Sequence, residues 1–442
     1  MIPLYNVLWA EVTETAVVLK HAQPMGKKRA SVFSLHYSIT VQKRAEAVLW
    51  VAKLLDLSYG SAQRRKRIKL LVNPFSGQGK ALRYSARDVE PIFAGANCLV
   101  DVEHTLYRGH AVELAEKLDL ASYDVVACCS GDGLPHEVFN GLGRKANAKE
   151  ALSKVAVVQL PCGTGNAMSL NLNGTDSPSL AALAIVKGIR TPLDLASITQ
   201  GDQRTLSFLS QSFGIVADVD LGTENVRWMG SARFTYGFFA RIMGKTVYPC
   251  ELHVHIDVAS KAEIQQLYRN SIVAAPSISH HSAVENLSQS GLPTLKFGTV
   301  NSKMPTSFTN VPANRIGNFF AGNMALMSPD ADFFPASLPS DGHLDLITID
   351  GDIGRLVAIK TFLGVEKGKH FDMTHVNYRK ISGYRIKPLG QKGYISIDGE
   401  SMPFEEFQAE VHRGLGLTLS RTGRRYEAAG VWTPDELKER DF

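Results

Sequence analysis

Three times between residues 68 and 166, an apolar run of strand length gives way to a glycine-rich loop and then to a helical pattern. The runs are residues 68–72, 123–129 and 155–160. The loops are Asn73-Pro74-Phe75-Ser76-Gly77-Gln78-Gly79-Lys80, Ser130-Gly131-Asp132-Gly133 and Pro161-Cys162-Gly163-Thr164-Gly165-Asn166. Serial strand–loop–helix units predict a parallel sheet with helices on both faces. Such sheets take their ligands outside the carboxyl ends of the strands, where these loops lie. Glycines let backbone N–H groups approach phosphate oxygens, and a helix N-terminus adds partial positive charge. Neither common nucleotide fingerprint fits. Pro74 occupies the first glycine of a Walker A motif and Ala81 follows Lys80, while Leu82 stands where a dinucleotide pattern begun at Gly77 needs glycine. Asp132, held between two glycines, is a candidate to accept a proton from a hydroxyl attacking a phosphoryl group.

The flanks read differently. Residues 1–63 alternate apolar and polar positions and then show helical spacing at Ala45, Val48, Leu49, Ala52 and Leu55. They read as an N-terminal extension packed on the main body or a small β-rich, membrane-binding module, and Arg64-Arg65-Lys66-Arg67 marks the boundary. Residues 64–203 form the α/β segment, and 204–442 read as a mainly antiparallel β-sandwich with a long loop near 276–315. Lys plus Arg number 48 against 43 Asp plus Glu, a net charge of +5 that is no nucleic-acid signature but allows weak attraction to an anionic surface. Cys98, Cys128, Cys129, Cys162 and Cys250 form no C-x-x-C pair, which predicts reduced thiols in an intracellular protein. The sequence has no apolar stretch of about 18 residues, and its start, MIPLYNVLWAEV, lacks a basic n-region. His253-x-His255 and His280-His281 lack a third ligand at zinc-site spacing, so no metal ligand is assigned.

Taken together, Asn73-Pro74 with its glycines, the run from Ser130 to Glu137 and the run from Pro161 to Asn166 resemble the catalytic domain shared by diacylglycerol and sphingosine kinases. Gly214-Ile215-Val216-Ala217-Asp218-Val219-Asp220, the stretch from Arg227 to Gly237 and Gly393 to Glu400 resemble the sphingosine (sphingoid long-chain base) kinases within that group. The resemblance runs from about residue 64 to 420. It implies an ATP- and Mg²⁺-dependent transfer of the γ-phosphoryl group to the primary hydroxyl of a sphingoid base, with Asp132 as general base. It further implies an ATP site lined by Asn73, Pro74, Phe75, Thr105, Leu106, Tyr107, Arg108, Gly109, Glu137, Gly163, Thr164 and Gly165. Arg227 and Arg233 would reach the phosphates, and Asp398, Gly399 and Glu400 would return from the second domain to close the nucleotide site. Ser130, Gly131, Asp132, Gly133 and Asp220 would hold the lipid head group, with the alkyl chain in an apolar pocket of the second domain. Period-two alternation in Ala217-Asp218-Val219-Asp220 sends Asp218 and Asp220 to the same face of an extended segment. In the first loop Ser76 and Gln78 replace a glycine and a frequent lysine of the family, while Gly77, Gly79 and Lys80 remain. The resemblance further implies a cytoplasmic protein at a peripheral membrane surface, with a homodimer left open. The alternatives are a ceramide or diacylglycerol kinase, or a non-catalytic lipid-binding regulator of the same fold.

Overall fold

The computed structural model describes residues 1–222, 232–244, 246–273 and 290–431. The chain divides into two compact units that cut across the sequence segments. The first comprises Met1–Gly141, Lys154–Thr191 and Leu417–Gly423; the second comprises Leu142–Ser153, Pro192–Gly416 and the chain from Arg424 onward.

In the first unit, β1 (Val7–Val12), β2 (Ala16–Pro24) and β3 (Ala30–Ser38) form an antiparallel sheet followed by the helix Arg44–Tyr59. Leu8, Trp9, Val51, Leu55 and Tyr59 bury into the same cluster as Ile68, Leu70, Phe93 and Ile185. The N-terminal residues therefore share one core with the strands that follow. Those are β4 (Arg67–Val72), β5 (Leu99–His104), β6 (Val125–Ser130) and β7 (Ala156–Pro161), a parallel sheet in the order β5-β4-β6-β7. Strands β6 and β7 are buried along their whole length, which is why they read as continuous apolar runs. Strand β5, at the edge and largely exposed, mixes Asp101 and Glu103 with valines and carries no comparable signal.

The second unit is dominated by a curled, mostly antiparallel sheet, so the chain is α/β plus β as the motifs predict. The sandwich expected takes the form of 11 strands in one sheet among the described residues. Its strands are β8 (Ile189–Gln200), β9 (Gln203–Ser207), β10 (Ser210–Gly214), β11 (Cys250–Val258), β12 (Thr309–Val311), β13 (Ile316–Gly322), β16 (Leu344–Asp350), β17 (Asn377–Pro388), β18 (Ile395–Ile397), β19 (Glu400–Met402) and β20 (Phe407–Ser420). The short pair β14 (Leu326–Ser328) and β15 (Ala331–Asp332) stands apart. Three helices border a pocket of this unit: Ile215–Gly222, Ala232–Gly244 and Arg355–Val365. Residues alternate across the sheet, Phe319 and Ala321 entering one core cluster and Phe320 the other. Among the described residues no helix is long and apolar enough to cross a membrane.

Candidate active site

The parallel register aligns the ends of three strands, with Val72 opposite Cys129 and Ser130 opposite Pro161. Their loops therefore leave the sheet side by side, and glycines let them touch backbone to backbone. Gly77 has φ +61°, and a Cβ there would lie 2.6 Å from the Cys162 carbonyl oxygen. A Cβ on Gly163 would lie 2.5 Å from the Gly131 Cα. No larger residue fits either place without moving a loop. In the first loop, the Asn73 side chain accepts the Phe75 N–H at 3.0 Å, an Asx turn that sets its entry.

Asp132 is held by the third loop. The N–H groups of Ala167 and Met168, at the start of the helix Ala167–Asn173, each donate to one of its carboxylate oxygens at 3.0 Å. Asn166 arranges this. Its φ of +53° turns the chain into the helix, and its side chain accepts the Gly163 N–H at 2.7 Å and donates to the Gly163 carbonyl at 2.9 Å. The carboxylate thus sits on the positive end of a helix with its orientation fixed. The sequence motif contained Asn166 but gave it no role, and Ala167 and Met168 act only through backbone, which their side chains cannot announce.

Glu137 also has a definite task. Its two carboxylate oxygens accept the N–H groups of Gly109 at 2.9 Å and Ala111 at 3.1 Å, capping the helix His110–Lys117. That fixes the turn from Thr105 to Gly109, in which Thr105 is buried while Leu106 and Tyr107 face outward with Phe75. Behind the loops, the Cys129 and Cys162 sulfurs lie 3.4 Å apart. The Cys162 partner and burial push the Cys129 thiol well up, so it stays protonated.

In the second unit, Asp398 and Gly399 form the two-residue turn between β18 and β19, with φ of +52° and +83°. The Asp398 carboxylate accepts the Ser207 hydroxyl at 2.6 Å and the N–H groups of Phe208, Leu209 and Ser210 at 2.9–3.0 Å. It is a fixture of the β9–β10 connection. Glu400 opens β19. Asp218 and Asp220 depart from the extended segment that their alternation predicts: they lie in the helix Ile215–Gly222, where residues two apart point away from one another. Each has its own partners. Asp220 accepts the Ser396 hydroxyl at 2.8 Å, whereas Asp218 accepts the Tyr248 hydroxyl at 2.7 Å and lies 3.6 Å from the Arg241 guanidinium. Burial and then that hydrogen bond push the Tyr248 phenol far up. Arg227 lies outside the described residues; Arg233 lies on the helix Ala232–Gly244, but its side chain is outside them. Their assignment rests on the resemblance alone, and His280 and His281 are likewise outside the description.

Next to the helix Ile215–Gly222 is a partly open pocket whose walls include Val216, Phe238, Ile242, Phe333, Ile349 and Phe362. The Phe238 and Phe362 rings, 4.8 Å apart, join the helices Ala232–Gly244 and Arg355–Val365 over it.

Parallel strands ending in three interlocked glycine loops, with an oriented aspartate among them, define a phosphoryl-transfer domain. Residues 67–198 match the diacylglycerol kinase catalytic domain, and residues 1–60 match a domain of unknown function, DUF7493. A crystal structure of a diacylglycerol kinase from Bacillus anthracis shares the fold, with a TM-score of 0.53 at 17% identity over 80% of this chain and 97% of that one. Sphingoid long chain base kinase 4 of Schizosaccharomyces pombe is 33% identical over 95% of this chain and 88% of its own length. Sphingoid long chain base kinase 5 of Saccharomyces cerevisiae is 33% identical over 85% of this chain, which spans 62% of that relative's length. Human Sphingosine kinase 1 is 28% identical over 86% of this chain and 96% of its own length. The chain belongs to the family of sphingoid long-chain base and sphingosine kinases.

Proposed function

We propose that the protein transfers the γ-phosphoryl group of ATP to the primary hydroxyl of a sphingoid long-chain base, giving the 1-phosphate. The observation that carries this is Asp132, oriented by two amides within the interlocked loops. The loops suit a nucleotide: Gly77 and Gly163 let them pack backbone to backbone at the strand ends, where N–H groups can approach phosphate, and exposed Phe75, Leu106 and Tyr107 offer apolar surface for a purine. The reading gives the ATP contacts to residues 73–75, 105–109, Glu137 and 163–165. Among the described residues no group of three or more His, Cys, Asp or Glu could hold a metal ion. Mg²⁺ would come with the nucleotide as its counter-ion and would neutralise charge on its phosphates.

The substrate oxygen bonds to the γ-phosphorus as the bond to the ADP oxygen breaks. Asp132 orients the hydroxyl and takes its proton late, because the transition state is loose. Asp220 receives the substrate ammonium, and the pocket beside Val216 and Phe333 takes the alkyl chain. The helices over that pocket expose Tyr236, Met243, Leu356 and Leu363, an apolar face suited to drawing substrate from a bilayer on the cytoplasmic side. A labelled-ATP assay across sphingoid bases, ceramide and diacylglycerol tests the reading. Phosphorylation of ceramide or diacylglycerol but not of a base would overturn it.

A further inference from the structure

The pocket wall is not uniformly apolar. Asn318 lies two residues before Phe320 on β13, so strand alternation sends its side chain to the same face of the sheet. It lines the pocket together with Val216, Phe333 and Ile349. Its neighbours in register are Gly214 on β10 and Ile349 on β16, neither of which offers a polar side chain. Asn318 is only 5% exposed, and its Oδ1 has no hydrogen-bond partner among the described residues. A buried amide oxygen without a partner costs stability, so the position calls for a polar group on whatever fills the pocket. A hydroxyl suits it best. The amide oxygen and nitrogen can exchange places by a flip, and a hydroxyl, which both donates and accepts, pairs with either.

The level of this contact narrows the choice of hydroxyl. Val216 and Asp220 are four residues apart on one helix, about 6 Å along its axis. If Asp220 takes the ammonium, a group beside Val216 meets the chain beyond the head-group carbons. We propose that Asn318 selects sphingoid bases that carry an additional hydroxyl on the chain, favouring 4-hydroxysphinganine over sphinganine. This rests on the pocket being the alkyl-chain site of the kinase reading above.

The experiment measures kcat/KM for both bases with the full-length wild-type protein, Asn318→Leu and Asn318→Ser. The wild type is expected to favour the hydroxylated base by about tenfold, the scale of one hydrogen bond in a buried site. Asn318→Leu is expected to abolish that ratio, and Asn318→Ser, which keeps a hydroxyl, to retain part of it. Equal use of the two bases by the wild type overturns the assignment, and this holds even where a variant fails to fold. A ratio unchanged in Asn318→Leu also overturns it and leaves a bound water as the partner of the amide. The two readings fail differently: a wild type that phosphorylates ceramide or diacylglycerol and neither base sinks the kinase reading, while equal use of both bases sinks only the role of Asn318.

Discussion

Asp132 shows what a single side chain does here and what its replacement would test. Asp132→Asn keeps the size but removes proton acceptance, so turnover should fall by about two to four orders of magnitude. Asparagine has one acceptor oxygen where the carboxylate has two, so one of the Ala167 and Met168 N–H groups loses its acceptor. The melting temperature should therefore drop as well, by the equivalent of about 1–3 kcal/mol, while ATP still binds. Turnover within a few-fold of wild type in a folded variant would remove Asp132 from the chemistry. Asp220→Asn isolates the other carboxylate. Its remaining oxygen can still accept from Ser396, so that bond is kept while the charge is lost. Use of the sphingoid base should weaken by about 1.5–3 kcal/mol with ATP affinity little changed; unchanged kcat/KM for the base would end the head-group assignment. Asp132 was legible because G-D-G follows an apolar strand. Its two donors were not, since they are main-chain groups of Ala167 and Met168.

At the scale of the element, the glycine loops work by contact between backbones. Gly163 has no positive φ to excuse it, yet a Cβ there would meet Gly131 Cα at 2.5 Å and Gly131 N at 3.1 Å. Gly163→Ala must therefore push the third loop off the second and carry Asn166 and the helix start with it. The expected outcome is a destabilisation of about 1–3 kcal/mol together with a kcat loss larger than any change in the affinity for the lipid, measured by melt and steady-state kinetics. Gly201→Ala is the control for a simple glycine effect: its φ is +53° but nothing lies within 4 Å, so it should cost stability and leave kcat alone. Equal kcat losses in the two variants would mean that the contact between loops is irrelevant. The strand–loop–helix order was readable because parallel strands buried on both faces must be apolar throughout. The segment Ala217 to Asp220 was misread because four residues of alternation do not separate a strand from a helical turn. In the structure the segment is part of the helix Ile215–Gly222, with Ala217 and Val219 buried.

The stability of the molecule should respond to pH through groups far from the loops. Burial pushes the His370 imidazole down to about 4, against the hydrogen bond between its Nε2 and the Phe333 carbonyl, which favours its charged form. The unfolded chain then takes up the proton first, near 6.5, so this contribution is intact above pH 6.5 and is lost as pH falls towards 4. At pH 5 the loss is about 2 kcal/mol. Asp332, raised by burial to about 7, acts in the opposite sense, so the comparison must be made against His370→Gln: the wild type should lose more stability than the variant between pH 7.5 and 5. Parallel pH profiles would assign the acid sensitivity elsewhere. In the first unit the deciding fact is the shared core of residues 1–60. Leu8 is fully buried, and a Cβ on Gly95 would come within 2.9 Å of it. The Lys187 ammonium donates to the Val7 and Ser58 carbonyls and stands 3.6 Å over the Tyr59 ring. The apolar–polar alternation of residues 1–63 could not reveal this, because part of what they pack on lies more than a hundred residues away, at Ile185 and Lys187. Leu8→Ala should cost about 2–5 kcal/mol, felt by the kinase loops although none of them touches Leu8. Removing residues 1–60 should strip one face of the parallel sheet and its helices and leave a chain that gives no cooperative melt. A soluble truncated protein with the wild-type melting temperature and kcat would show that the shared core is dispensable and that the N-terminal strands are an appendage.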